Sequence, residues 1–211
     1  MAQKALVVYG GWDGHTPKPC ADLFAPWLSE QGFDVKVSDT LEIYEDDDYM
    51  RSLSLVVPIW TMGNITGPQS KGLLGAVKSG VGIAGFHGGM CDSFRNNTDY
   101  QWMTGGQWVA HPGGCIPEYT VTITDSSHEI MAGITNFKLV DTEQYYMHTD
   151  PSNHVLATTT FAGLDVVMPY VWTRMWGEGR VFYAAFGHTD KDFNVPEALT
   201  IVQRGMLWAA R

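Results

Sequence analysis

Ser79-Gly-Val-Gly-Ile-Ala-Gly-Phe-His87-Gly88-Gly89 is an apolar run closed by glycines, and its reading decides the fold. The run reads as a short buried strand, with Gly85-Phe-His-Gly-Gly89 as the tight turn that follows. Turns of the form G-x-S-x-G or G-x-C-x-G present a serine or cysteine nucleophile on a strained strand-to-helix elbow. Here the elbow side chain is an imidazole. It can take or give a proton near neutral pH, or ligate a metal, but it is poorly suited to lasting covalent catalysis.

Working outward, the first half alternates strand and helix patterns. Lys4 to Tyr9 is an apolar strand running into Gly10-Gly-Trp-Asp-Gly-His15. A helix follows, with Thr16 as N-cap, Pro17 in the first turn, Gly32 past the end and Pro26 as a kink. Its apolar stripe is Cys20, Leu23, Phe24, Trp27 and Leu28. Asp34 to Ser38 and Leu53 to Trp60 are further strands, and Thr66 to Ser79 is a helix leading into the strand of His87. Such alternation predicts an α/β fold with a doubly wound, mostly parallel central sheet flanked by helices. Ligands of such sheets bind outside the carboxyl ends of the strands. The segments expected there are Gly11 to His15, Trp60 to Asn64 and His87 to Arg95.

The second half has shorter strands: Tyr119 to Thr124, Phe137 to Val140, Val155 to Thr159, Val166 to Thr173 and Arg180 to Phe186. A turn over Trp176 to Arg180 pairs the last two like a hairpin. The closing helix runs from about Val195 to Ala210, with Asn194 as N-cap and Glu197 three residues on. No repeat or linker interrupts the chain, so 1–211 reads as one domain.

Composition narrows the function. The formal net charge is −10, with 17% charged residues and 12% aromatics. No clustered basic surface is visible, which argues against a nucleic-acid partner. The acidic run Glu45 to Asp48 reads as a solvated helix start. No apolar run reaches the roughly 18 residues of a membrane span. Cys20, Cys91 and Cys115 lack both disulfide and metal-motif spacing. The sequons at Asn64 and Asn96 have no secretory leader beside them. The expected address is the cytoplasm, and a homo-oligomer is left open.

Candidate catalytic residues follow from position. His87 sits on the elbow, and His188 follows Gly187 at the end of a strand by the same logic. Glu143 follows the Phe137 strand beside Tyr145 and Tyr146, a setting expected to raise its pKa and suit acid–base work. His111 precedes Pro112-Gly-Gly in what reads as a loop over the cleft. His15 ends the first strand's turn, and His148 is a supporting partner for Glu143. His128 reads as structural and His154 carries no site signal. No local metal motif is present. A zinc or manganese site assembled across loops from His87, Glu143 and His188 is left open, because imidazole and carboxylate suit those ions.

Several blocks together are recognisable: Tyr9-Gly-Gly11, Gly85-Phe-His-Gly-Gly89, Thr104-Gly-Gly-Gln-Trp-Val-Ala-His-Pro112, His128-Glu-Ile-Met-Ala-Gly-Ile134, Glu143-Gln-Tyr-Tyr146 and Gly179-Arg-Val-Phe-Tyr183 with Gly187-His188. In this order, over nearly the whole chain, they resemble the ThuA, or trehalose-utilisation, family. The resemblance implies a fold similar to class I glutamine amidotransferases, of flavodoxin-like type. It also implies a place in disaccharide catabolism beside dehydrogenases that make 3-keto sugars. The elbow cysteine of true amidotransferases is missing, which removes glutamine hydrolysis.

A sugar partner suits the remaining residues. Trp12 and Trp60 fall at strand ends where flat rings can stack on a sugar. Asp13, Asp92, Arg95 and Gln107 can hydrogen-bond its hydroxyls. The expected function is an enzyme acting on a keto-sugar or 3-keto-glycoside by proton abstraction beside the carbonyl. His87 or Glu143 is the base, with His188 and His111 as acid or electrophilic partners. The alternative is a non-catalytic carbohydrate-binding or regulatory protein. Direct glycoside hydrolysis needs two flanking carboxyl groups, and only Glu143 is well placed by sequence.

Overall fold

The computed structural model describes residues 3–211. The first half is β1 (Lys4–Gly11), α1 (Pro17–Glu30), β2 (Asp34–Ser38), α2 (Asp47–Arg51), β3 (Leu55–Thr61), α3 (Gly67–Lys78), β4 (Gly82–Phe86), α4 (His87–Cys91) and α5 (Thr98–Thr104). The second is β5 (Gly106–Ala110), β6 (Cys115–Ile123), β7 (Phe137–Glu143), β8 (Tyr146–Thr149), β9 (His154–Phe161), β10 (Val166–Trp176), β11 (Gly179–Ala184) and α6 (Pro196–Ala209). No helix among the described residues is long and apolar enough to cross a membrane.

One nine-stranded sheet carries the fold, in the order β2-β1-β3-β4-β11-β10-β9-β6-β7. Its first five strands are all parallel. The last four pairings, β11-β10, β10-β9, β9-β6 and β6-β7, are antiparallel. The expectation of a mostly parallel sheet is therefore corrected to a mixed one. The reason lies in the connections: β9, β10 and β11 are joined by short turns, which permit only antiparallel neighbours. A separate ribbon pairs β5 with β8, where the sequence pattern suggests a loop around His111.

Local chemistry explains the elements. Every residue of β4 is buried, as expected for a central parallel strand. Thr66 and Gln69 form a reciprocal capping box on α3, and Asp46 caps α2 by accepting the Tyr49 N–H. Thr16 occupies the N-cap position of α1 but does not cap it. Its φ is +45°, and its hydroxyl accepts the Asp190 N–H at 3.0 Å. Asn194 is not the cap of α6, because the preceding 3₁₀ turn extends through it and the helix starts on Pro196. A proline there supplies the helical φ and loses no needed N–H. In α1, Leu23 is exposed rather than part of the buried stripe, and Pro26 lies on the exposed side of an unbroken helix.

Phe24 of α1, Phe86 of β4 and Phe193 ahead of α6 meet with ring centroids 4.9 to 5.3 Å apart. This contact packs α1 against β4 and the 3₁₀ turn that precedes α6. The last turn of α6 lies directly on β4, where a Cβ on Gly82 would collide with the Ala209 carbonyl. Gly82→Ala should therefore cost about 1–3 kcal/mol, as overpacked cores do. Gly67→Ala, whose Cβ meets nothing within 4 Å, should stay within about 0.5 kcal/mol. Urea unfolding of both variants checks this; equal stability of the two would contradict the packing of α6 on β4.

Candidate functional site

The carboxyl ends of β1, β4 and β11 deliver three histidines to one place. His15 lies in the 3₁₀ turn after β1, His87 opens α4 directly after β4, and His188 follows β11 past Gly187. His87 has φ +45°, a conformation rarely adopted by a side-chain-bearing residue and one that marks stored strain at a site. The glycines behind it are dictated by space. A Cβ on Gly88 would come within 2.5 Å of the His15 ring, and one on Gly89 within 3.0 Å of Ile59 Cα.

Glu143 reaches the same point from the far end of the sheet order. It is the last residue of β7, so the antiparallel half must curl back over the parallel strand ends. Its Oε2 lies 3.2 Å from His87 Nε2, 3.4 Å from His188 Nδ1 and 3.8 Å from His15 Nε2. Its Oε1 lies 3.6 Å from His111 Nε2. The three imidazoles of His15, His87 and His188 meet edge to face, with centroids 4.7 to 5.3 Å apart. The donor atoms of these three and of Glu143 lie within 4.8 Å of one another, close enough to share one small cation.

The electrostatics correct one expectation. Burial alone would raise the Glu143 carboxyl, but the imidazoles of His15, His188 and His87 reverse this and hold it well below the usual carboxylate range. The histidines, rather than the aromatic neighbours, set the direction of its shift. His87 moves the other way: burial pushes its pKa down to about 3, against the pull of Glu143. The two shifts favour the carboxylate form of Glu143 and the neutral form of His87.

A cavity of about 140 Å³ opens above this cluster, lined among others by Trp12, His15, Asp92, Arg95, Trp108, His111, Glu143 and Tyr145. A cavity of roughly 150 Å³ elsewhere accepts a benzene ring, so this one has room for a single ring. Arg95 grips both oxygens of buried Asp92, at 2.6 and 2.9 Å, and lies 4.5 Å over the Trp108 ring. Trp108 Nε1, His111 Nδ1 and His188 Nδ1 are buried without a hydrogen-bond partner in the protein. Such groups are ordinarily satisfied by a ligand, ion or water.

Other expected residues lie elsewhere. His87 is only 1% exposed, stacked beneath Tyr145 at 3.8 Å, and it is not part of the cavity wall. Asp13 is exposed on the turn ahead of His15. Trp60 packs over Gly10 and Gly63 rather than into the cavity. Gln107 lies on β5 with its amide donating to the Trp108 carbonyl. His148 is opposite Gln107 in the β5–β8 ribbon and exposed. It does not support Glu143, because strand alternation turns it away while buried Met147 points inward. His154 pairs with Asp125 at 2.9 Å, and His128 caps its own turn.

Residues that sequence reasoning missed hold the cluster in place. Buried Asp192 accepts three hydrogen bonds on one oxygen, from Gly187 N–H, His188 N–H and Thr142 Oγ1–H at 2.9 to 3.1 Å. It thus ties the residue before Glu143 to the backbone of His188. Tyr119 donates to the Glu143 carbonyl, Tyr170 donates to Tyr119, and Tyr183 donates to the His87 carbonyl. Only the position of Asp192, four residues after His188, hinted at its role.

The model of the ThuA family, described as trehalose utilisation, matches residues 4–209. No curated protein matches significantly. A ThuA-like protein of Bacteroides uniformis has a similar structure, with TM-score 0.83 and 16% identity, covering 98% of this chain and 91% of that one. Another, from Parabacteroides merdae, gives 0.78 and 18%, covering 99% and 90%. A cold-adapted β-galactosidase of Rahnella sp. R3 contains a similar region, at 0.59 and 15%, covering 99% of this chain and 32% of that one. At such identities the likeness is one of fold.

Removing the Asp192 anchor leaves buried N–H groups unsatisfied, so Asp192→Ala should lower stability by at least about 2 kcal/mol. Thr142→Val, which removes one donor of the three, should cost about 1 kcal/mol. Urea denaturation gives both values. A loss for Asp192→Ala under about 0.5 kcal/mol, typical of a surface change, would refute the anchoring role.

Proposed function

The chain belongs to the ThuA family, and we propose that it is an enzyme of disaccharide catabolism that removes the proton beside the carbonyl of a keto-sugar or 3-keto-glycoside. The family's description supports carbohydrate metabolism; the finer chemistry is argued from the site. The observation that carries it is an ionised carboxylate, Glu143, paired with a half-exposed imidazole, His111, on the wall of a cavity sized for one ring. The parallel strand order β2-β1-β3-β4-β11 supports the class I glutamine amidotransferase-like, flavodoxin-like placement.

A carbonyl acidifies the neighbouring C–H, so one base and one group to steady the enolate suffice. A carboxylate held so far below its usual range is a weak base, but it is the right partner to stabilise an imidazolium. His111 therefore takes the proton and exchanges it at the cavity mouth, while Glu143 orients the ring and offsets its charge. His87 does not touch substrate; it acts through Glu143. Arg95, whose Nη1 is not used in the Asp92 pair, supplies positive charge for the enolate oxygen. Trp12 and Trp108 flank the sugar ring, and the rest of a disaccharide stays outside. Isomerisation, or elimination of the glycosidic oxygen, follows from the enediolate. Hydrolysis is disfavoured because both oxygens of the second carboxylate in the cavity, Asp92, are held by Arg95.

Incubation of a 3-keto-disaccharide in deuterated water should place label at the carbon beside the ketone faster than in protein-free buffer. His111→Asn and Glu143→Gln should each slow this exchange by about 10²–10⁴-fold. Turnover with no label above background would point to direct hydrolysis. Tight binding with neither turnover nor exchange would leave a carbohydrate-binding protein.

A further inference from the structure

We propose that His15, His87, His188 and Glu143 form a binding site for one divalent first-row transition-metal ion, beside the cavity. The inference is independent of the keto-sugar reading, since it concerns which atoms face each other rather than what they act on.

The geometry carries the argument. His87 Nδ1 lies 2.9 Å from the Ala185 carbonyl oxygen. A carbonyl only accepts, so Nδ1 carries a hydrogen and Nε2 is the ring nitrogen turned to the cluster. That nitrogen faces Glu143 Oε2 at 3.2 Å. His188 Nδ1, 3.4 Å from the same oxygen, is buried and makes no hydrogen bond. His15 Nδ1 is engaged by Thr61 Oγ1 at 2.8 Å, and its Nε2 also points at Glu143. Three ring nitrogens and one carboxylate oxygen thus converge on one point.

A cation at the common point would meet one ligand atom from each of the four residues. Ligands about 2.0–2.1 Å from a tetrahedral ion are about 3.3 Å apart; the three imidazole–carboxylate distances are 3.2, 3.4 and 3.8 Å, and the four atoms all lie within 4.8 Å of one another. His87 and His15 are supported as metal-bound histidines are, the second nitrogen fixed by a carbonyl and by a hydroxyl respectively. Three imidazoles and one carboxylate suit zinc, iron or cobalt and disfavour calcium or magnesium, which take oxygen ligands. His15 and Glu143 also line the cavity, so the ion would adjoin it.

The test uses the full chain, stripped with a chelator and titrated with zinc or cobalt(II) without substrate. One equivalent should bind, and cobalt should give the visible absorption of a low-coordinate nitrogen–oxygen site. His188→Asn and His15→Asn should each weaken binding by at least about 100-fold. Thr61→Val, which only fixes the His15 tautomer, should weaken it by about 10–100-fold. His154→Asn, at a histidine outside the cluster, should leave affinity unchanged. Near-UV circular dichroism identifies variants that fold, and the partly exposed His188 carries the test if substitution at His15 does not yield folded protein. Absence of stoichiometric binding, or binding indifferent to His188→Asn, would overturn the proposal.

Discussion

The Glu143 carboxylate, ionised and almost withdrawn from water, is the constraint on which the rest of the site depends. A buried charge costs several kcal/mol unless it is paired and hydrogen-bonded. Here the partners are imidazoles delivered by separate segments: the turn after β1, the elbow after β4, the loop after β11 and the β5 ribbon. None of these is near Glu143 in sequence, so the cluster exists only when the whole sheet is assembled.

That dependence accounts for the shape of the sheet. A purely parallel sheet would present the three histidines at its strand ends with no counter-charge above them. The antiparallel extension from β10 to β7 supplies it by curling back until Glu143 meets His87. Asp192 then locks the two halves, because one oxygen holds both the His188 backbone and the Thr142 hydroxyl. The tyrosines Tyr119, Tyr170 and Tyr183 complete the frame beneath, donating to the Glu143 carbonyl, the Tyr119 hydroxyl and the His87 carbonyl respectively.

Much of the parallel half was legible in sequence, because glycine turns and strand ends are local signals. The elbow at His87 and the strand-end position of His188 follow from the residues beside them. What the chain does not announce locally is long-range pairing. The curl of β7, the exposed direction of His148 and the bond from Thr142 to Asp192 depend on contacts dozens of residues apart. The lowered carboxyl of Glu143 escaped for the same reason: Tyr145 and Tyr146 are its sequence neighbours, but His15, His87 and His188 are its spatial ones.

The most direct test of what lies at the centre of this cluster is an anomalous difference map from crystals of zinc-loaded protein. A single peak about 2 Å from His15 Nε2, His87 Nε2, His188 Nδ1 and Glu143 Oε2 is expected. A map without that peak, with His87 and Glu143 still in direct contact at hydrogen-bond distance, would show that a proton rather than a metal ion bridges them.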